Sequence, residues 1–129
     1  MPRAYTIATA ALVLGVSAKW LDNALSHFKV PGVAQKRQGV ARRLTVESLL
    51  HLSIAVILGR VLNVPLGHAL EVARQVVSGD GRLATNELQL EFALSTLHAE
   101  ILNRLDNAVE ITPLPRRGRR PKTTTGRLE

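Results

Sequence analysis

The chain has 129 residues, of which 46% are apolar and 3% aromatic, and it has no cysteine. That length suits one domain, or a small domain with an appendage, around a core of Leu, Val, Ile and Ala, and disulfides and thiolate metal sites are excluded. The net charge of +7 is unevenly spread: residues 1–45 and 113–129 are basic, whereas 46–112 carry four Arg against eight Asp/Glu, so the two ends face a polyanion while the middle does something else.

Thr6 is placed to cap a helix from Ile7 to about Leu14, which Gly15 ends, and Ser17 caps a second helix running to about Phe28. Within this stretch Ala11, Gly15 and Leu21 fall at the spacing of a helix-turn-helix unit. A small residue stands at the crossing of the helices, glycine where the turn favours positive φ, and leucine where the second helix plugs back onto the first. Leu21, Ala24, Leu25 and Phe28 share one face of the second helix, and Lys19, Asn23 and Ser26 lie on the other. Such a polar face is presented to a DNA major groove: Asn pairs with adenine, Lys reaches guanine or phosphate, and Ser17 contacts phosphate through its hydroxyl or the helix amides. Asp22 is awkward beside phosphate; it either accepts from cytosine N4 or, as expected, pairs with a nearby arginine of the following hairpin. Trp20, on the flank, is expected to support the helix from beneath the following hairpin.

The same N-terminal residues imitate a signal peptide, with Arg3, an apolar run over 7–16 and the small residues Val16-Ser17-Ala18. Thr6 and Thr9 dilute that run, and a signal sequence has no reason to meet the helix-turn-helix spacing. No apolar run reaches the roughly 18 residues of a membrane span.

Pro31-Gly32 stops the second helix, and residues 33–44 read as a small hairpin, or wing, with Gly39 at its tip. Lys36, Arg37, Arg42 and Arg43 make it basic, and Gln35 and Gln38 add donors for phosphate or base edges. Side chains alternate along a strand, so Arg42 and Arg43 point to opposite faces, and one of them is expected to pair with an acidic residue. Thr45 caps a long helix, apolar almost all round from Leu49 to Leu62 and expected at the buried centre. Asn63-Val64-Pro65 breaks it. A shorter helix carries Leu66, Leu70, Ala73 and Val77, and 78–81 form a turn. Leu88, Leu90, Phe92 and Leu94 alternate with polar neighbours as a strand with one buried face, and 82–84 are its expected partner. Ser95 caps a last helix to about Glu110, with Leu97, Ile101, Leu105 and Ala108 as its stripe, widened by Leu102 and Val109, and with His98 on the apolar arc. The prolines and arginines after Thr112 read as a disordered basic tail, in which Arg117-Gly118-Arg119 resembles an AT-hook or serves as a generic polycation.

The four histidines have no partner at i+3 or i+4, and the sequence shows no phosphate loop, nucleophile elbow or paired carboxylates. No enzyme activity, metal or cofactor is therefore expected.

The order helix-turn-helix, basic wing, long helix, short helix resembles the MerR family of bacterial regulators, with excisionase-like proteins as smaller relatives. Tyr5-Thr6-Ile7, Gly15-Val16-Ser17 with Lys19 and Leu21, Arg42-Arg43-Leu44-Thr45 with Leu49, and Leu62-Asn63-Val64-Pro65-Leu66 carry the likeness, which spans residues 5–77. Asp22-Asn23-Ala24 stands where the family commonly has an arginine and tyrosines, Leu44 replaces an aromatic, and no long dimerising helix follows. The resemblance implies the DNA-binding part and not the family's metal or drug sensing.

The expected fold is mainly α with small β elements. A winged helix-turn-helix domain at residues 4–78 is followed by a strand-plus-helix module at 79–111, read as a dimerisation element, and by a tail at 112–129. The expected function is sequence-specific binding of double-stranded DNA by a homodimeric cytoplasmic, nucleoid-associated transcriptional regulator, without a membrane. Ser17, Lys19, Trp20, Asn23, Ser26, Gln35, Lys36, Arg37, Gln38, Arg42, Arg43, Arg117 and Arg119 are its expected DNA contacts. The alternatives are an antitoxin-like module whose acidic part neutralises a basic protein partner, and an architectural nucleoid binder.

Overall fold

The computed structural model describes residues 4–34 and 42–111. They form five helices and two small two-stranded antiparallel sheets, in the order α1 (Ile7–Leu14), α2 (Ala18–His27), β1 (Val33–Ala34), β2 (Arg43–Leu44), α3 (Val46–Leu62), α4 (Leu66–Ser78), β3 (Arg82–Ala84), β4 (Gln89–Glu91) and α5 (Leu94–Ile111).

Local chemistry accounts for most of these boundaries. Thr6 accepts a hydrogen bond from the Thr9 amide and opens α1. Gly15 closes it in the left-handed region, at φ 74°, where a residue with a Cβ is strained. Ser17 opens α2 in the same way as Thr6, accepting from the Trp20 amide at 3.0 Å. Thr45 and Ser48 form a reciprocal capping box at the start of α3: the Ser48 hydroxyl receives the Thr45 amide and the Thr45 hydroxyl receives the Ser48 amide. Asn63, with φ 59°, ends α3, and Pro65 precedes the first residue of α4. Glycine and asparagine take the left-handed conformation at least cost, and proline's fixed φ suits a helix entrance.

The first sheet pairs Val33 with Leu44 and Ala34 with Arg43. Tyr5 adds to its far edge, exchanging two backbone hydrogen bonds with Leu44 at 2.7 and 2.9 Å. The second sheet pairs Arg82 with Glu91, Leu83 with Leu90 and Ala84 with Gln89. Its hairpin turn is closed by Thr85, whose hydroxyl accepts from the amides of Glu87 and Leu88.

One buried cluster draws on all five helices: Ala10, Val13 and Leu14 of α1, Leu21 and Leu25 of α2, Leu49, Leu52 and Ile54 of α3, Ala69 and Val76 of α4, and Ile101 and Leu105 of α5. The long helix α3 packs against α4, α5 and α1, while α5 also packs against α1. Ala10 and Ala11 are both buried, and side chains this small permit close approach of α1 to its neighbours.

Four expectations need correction. Helix α3 is not buried throughout, because Val61 and Leu62 in its last turn are 70% and 56% exposed; its neighbours cover only the earlier turns. The strand expected from Leu88 to Leu94 is only three residues long. The Thr85 turn leaves Leu88 51% exposed, Leu90 and Phe92 are half-buried, and Leu94 already begins α5. Leu102 is 41% exposed and His98 is exposed too. They lie about 100° around α5 from the inward Leu97 and Ile101, beyond what α1 and α3 cover. Phe28 is not a fourth inward residue of α2; its backbone is already extended, at φ −131°, and it is 38% exposed.

Candidate nucleic-acid interface

The candidate interface is built on α2. Its inward side is fixed by Leu21, Ala24 and Leu25, all buried. At about 100° per residue, this leaves Lys19, Asn23 and Ser26 on the opposite side with Asp22 on its flank, and all four are exposed. The turn at Gly15-Val16 and the cap at Ser17 set the direction in which the helix leaves α1. The backbone bond from Val16 N–H to the Ala11 carbonyl, at 3.0 Å, ties that turn to the end of α1.

Hydrogen bonds within the helix shape the face further. The Ser26 hydroxyl donates to the Asp22 carbonyl at 3.0 Å, so its lone pairs face outward as an acceptor. The His27 ring nitrogen Nδ1 lies 2.8 Å from the Asn23 carbonyl. The Asn23 side-chain amide has no partner among the described residues, which leaves both its donor and its acceptor open to a base edge.

Asp22 meets Arg42, the residue just before β2, across 3.3 Å, with side-chain exposures of 55% and 24%. This pairing follows the sequence expectation for both residues. It removes a bare carboxylate from the flank of the polar face and fastens the return strand of the first sheet to α2. Arg43, the next residue, is exposed, in keeping with strand alternation. Trp20 stands on the flank of the face, 37% exposed.

The structure therefore brings Lys19, Asn23, Ser26 and Arg42 onto one side of the molecule, with Ser17 at the helix entrance and Arg43 on the adjoining strand. Gln35, Lys36, Arg37 and Gln38, and the tail residues Arg117 and Arg119, lie outside the described residues. Lys29 has to be added. It follows the end of α2 and lines a concavity together with Arg42. A lone basic residue after a helix C-terminus was the available signal, but its position could not be inferred without knowing that the chain turns away from the helix at Phe28.

Among the described residues no group of three His, Cys, Asp or Glu is arranged to hold a metal ion. His51, on α3, is buried and its Nδ1 lies 2.9 Å from the Glu47 carbonyl one turn earlier, a structural pairing inside the helix. Among the described residues, no helix is long and apolar enough to cross a membrane. Comparison with protein-family models, curated proteins and solved structures finds no match to this chain.

Proposed function

We propose that this chain binds double-stranded DNA with sequence preference and regulates transcription, through a winged helix-turn-helix unit of MerR-like type. In this reading α2 enters the major groove, and the basic segment from Gln35 to Arg43 follows the phosphate backbone. Ser17, Lys19, Trp20, Asn23, Ser26, Arg42 and Arg43 belong to this surface. A homodimer would place two copies of α2 on inverted half-sites about one helical turn apart, in the nucleoid-containing cytoplasm. The work is binding and not catalysis.

The observation that carries the reading is the exposed polar face of α2, with Lys19, Asn23 and Ser26 turned outward and, at its centre, a carboxamide that has no partner among the described residues. Lys, Asn and Ser are residue types able to read base edges, and here they stand behind a positive-φ turn and a serine cap. The Asp22–Arg42 pair supports it, since it neutralises the one charge on that face that repels phosphate.

The test starts from genome-wide DNA enrichment with the full chain, followed by binding measurements on the best-enriched duplex. Asn23→Ala is expected to cost about 1–3 kcal/mol on that duplex and to relax preference at one base step. If the variant keeps both the affinity and the preference of the parent, α2 is not the recognition helix. Equal affinity of the parent for unrelated duplexes would instead favour an architectural binder.

A further inference from the structure

Two concavities flank the segment Phe28–Lys29 at the C-terminal end of α2. The first, of about 410 Å3, is lined by Leu25, Phe28, Lys29, Val30, Val33 and Arg42. The second, of about 290 Å3, shares Phe28 and Lys29 but also contains Glu71 and Arg74. Arg74 donates to Glu71 through two nitrogens, at 2.5 and 3.4 Å, so its charge is already matched, and these bonds hold the Glu71 carboxyl below the usual carboxylate range.

The first concavity is different. Among the described residues its charged lining side chains are Lys29 and Arg42; Arg42 is paired with Asp22, whereas no carboxylate meets Lys29. Arg42 gives one terminal nitrogen to Asp22, and among the described residues the other donors of its five-donor fork have no partner. Lys29 makes no hydrogen bond or ion pair among the described residues. The backbone leaves the helix at Phe28, with φ −131° and ψ 146°, and Lys29 then lines the same concavity as Arg42 instead of continuing in line with Ser26. A planar guanidinium and a compact ammonium lining one concavity, at the edge of the candidate base-reading face, suit a tetrahedral anion.

We infer that Lys29 and Arg42 form a seat for one backbone phosphodiester of the bound duplex, an inference that rests on the DNA-binding reading above. The seat anchors the register in which α2 meets the bases: phosphate contacts position a protein on the duplex and base contacts specify the sequence. Lys29 is the informative residue, because changing Arg42 would also release Asp22.

The experiment measures the affinity of the full chain for its best-enriched duplex and for an unrelated one across a series of salt concentrations. Lys29→Gln is expected to weaken both by the same factor and to flatten the slope of log K against log salt by about 1 unit. Lys29→Arg is expected to keep the slope, and so is Arg60→Gln, a change to an exposed cation in the last turn of α3. If the parent chain binds neither duplex, the DNA-binding reading falls and the seat falls with it. If the parent binds but Lys29→Gln keeps the slope, or shifts preference between the duplexes, the seat alone is overturned. A second arm follows the methyl resonances of Leu25, Val30 and Val33 by NMR. Shifts with duplex, but not with inorganic phosphate at equal ionic strength, are expected. Equal shifts with inorganic phosphate would make the concavity a free-anion site and overturn the assignment to DNA.

Discussion

Gly32 stands at the point where the chain passes from α2 toward the first sheet, and it turns with φ 88°. Its carbonyl accepts the Thr45 hydroxyl at 3.0 Å, so this turn is docked on the start of α3. A Cβ at Gly32 would lie 2.5 Å from Thr45 Oγ1 and 2.9 Å from the Ser48 nitrogen, the two atoms that make the cap. Gly32→Ala therefore combines backbone strain with a displaced capping box, and is expected to destabilise the fold by roughly 2–3 kcal/mol. Gly15 is the natural comparison. It also has positive φ, at 74°, but nothing lies within 4 Å of an added Cβ, so Gly15→Ala is expected to cost only the conformational part, about 1 kcal/mol. Urea midpoints of the two variants measure the difference. Equal losses would show that the contact with the α3 cap adds nothing to the role of Gly32.

At the scale of elements, α2 is a helix of ten residues, too short to persist without its cap and its packing. Ser17 supplies the cap through its hydrogen bond from the Trp20 amide. Ser17→Ala is expected to lower stability by about 1 kcal/mol, while leaving the order of preference among duplexes unchanged; urea unfolding and competition binding read the two effects separately. Elements of this kind were legible in the residues alone because their limits are set by neighbours in sequence. Thr6, Gly15, Ser17, Thr45, Asn63 and Pro65 each act within one helical turn of where they stand. The outward face of α2 was legible for the same reason, since the buried positions Leu21, Ala24 and Leu25 define the other side. The second hairpin was legible in its first strand, Arg82–Ala84, and in its antiparallel pairing, but not in the extent of its second strand. Leu88 through Leu94 alternate as one strand would, yet the strand is cut short by the Thr85 turn at one end and by the early start of α5 at the other. Nor does periodicity reveal how wide a strip of helix its neighbours cover, which is why Leu62, His98 and Leu102 came out exposed. The pairing of Asp22 with Arg42 was within reach as a charge argument, whereas the sharing of one concavity by Lys29 and Arg42 depends on a change in chain direction at Phe28.

At the scale of the whole molecule, what matters is how α5 is joined to the candidate interface. Ile101, Leu105 and Ala108 are buried in the same cluster as Leu21 and Leu25 of α2, and the Arg104 side chain donates at 3.2 Å to the carbonyl of Val13, a residue 91 positions earlier. That carbonyl belongs to the last turn of α1, where backbone acceptors lack helical partners and a cation is favoured by the helix dipole. The apolar stripe of α5 therefore holds α1 and α3 in place and, through α1, fixes where α2 stands. A cluster shared in this way should unfold as one unit. Leu105, 2% exposed, is the most direct probe: Leu105→Ala leaves a cavity and is expected to cost about 2–5 kcal/mol. The chain has a single tryptophan, Trp20, and it lies on α2, so its fluorescence reports on the candidate interface while far-UV circular dichroism reports on all five helices. Both signals are expected to shift to lower temperature by the same amount in Leu105→Ala. A fluorescence transition that stays at the parent temperature while the dichroism transition falls would mean that α5 folds apart from the first two helices, and that the interface owes its geometry to the N-terminal part alone.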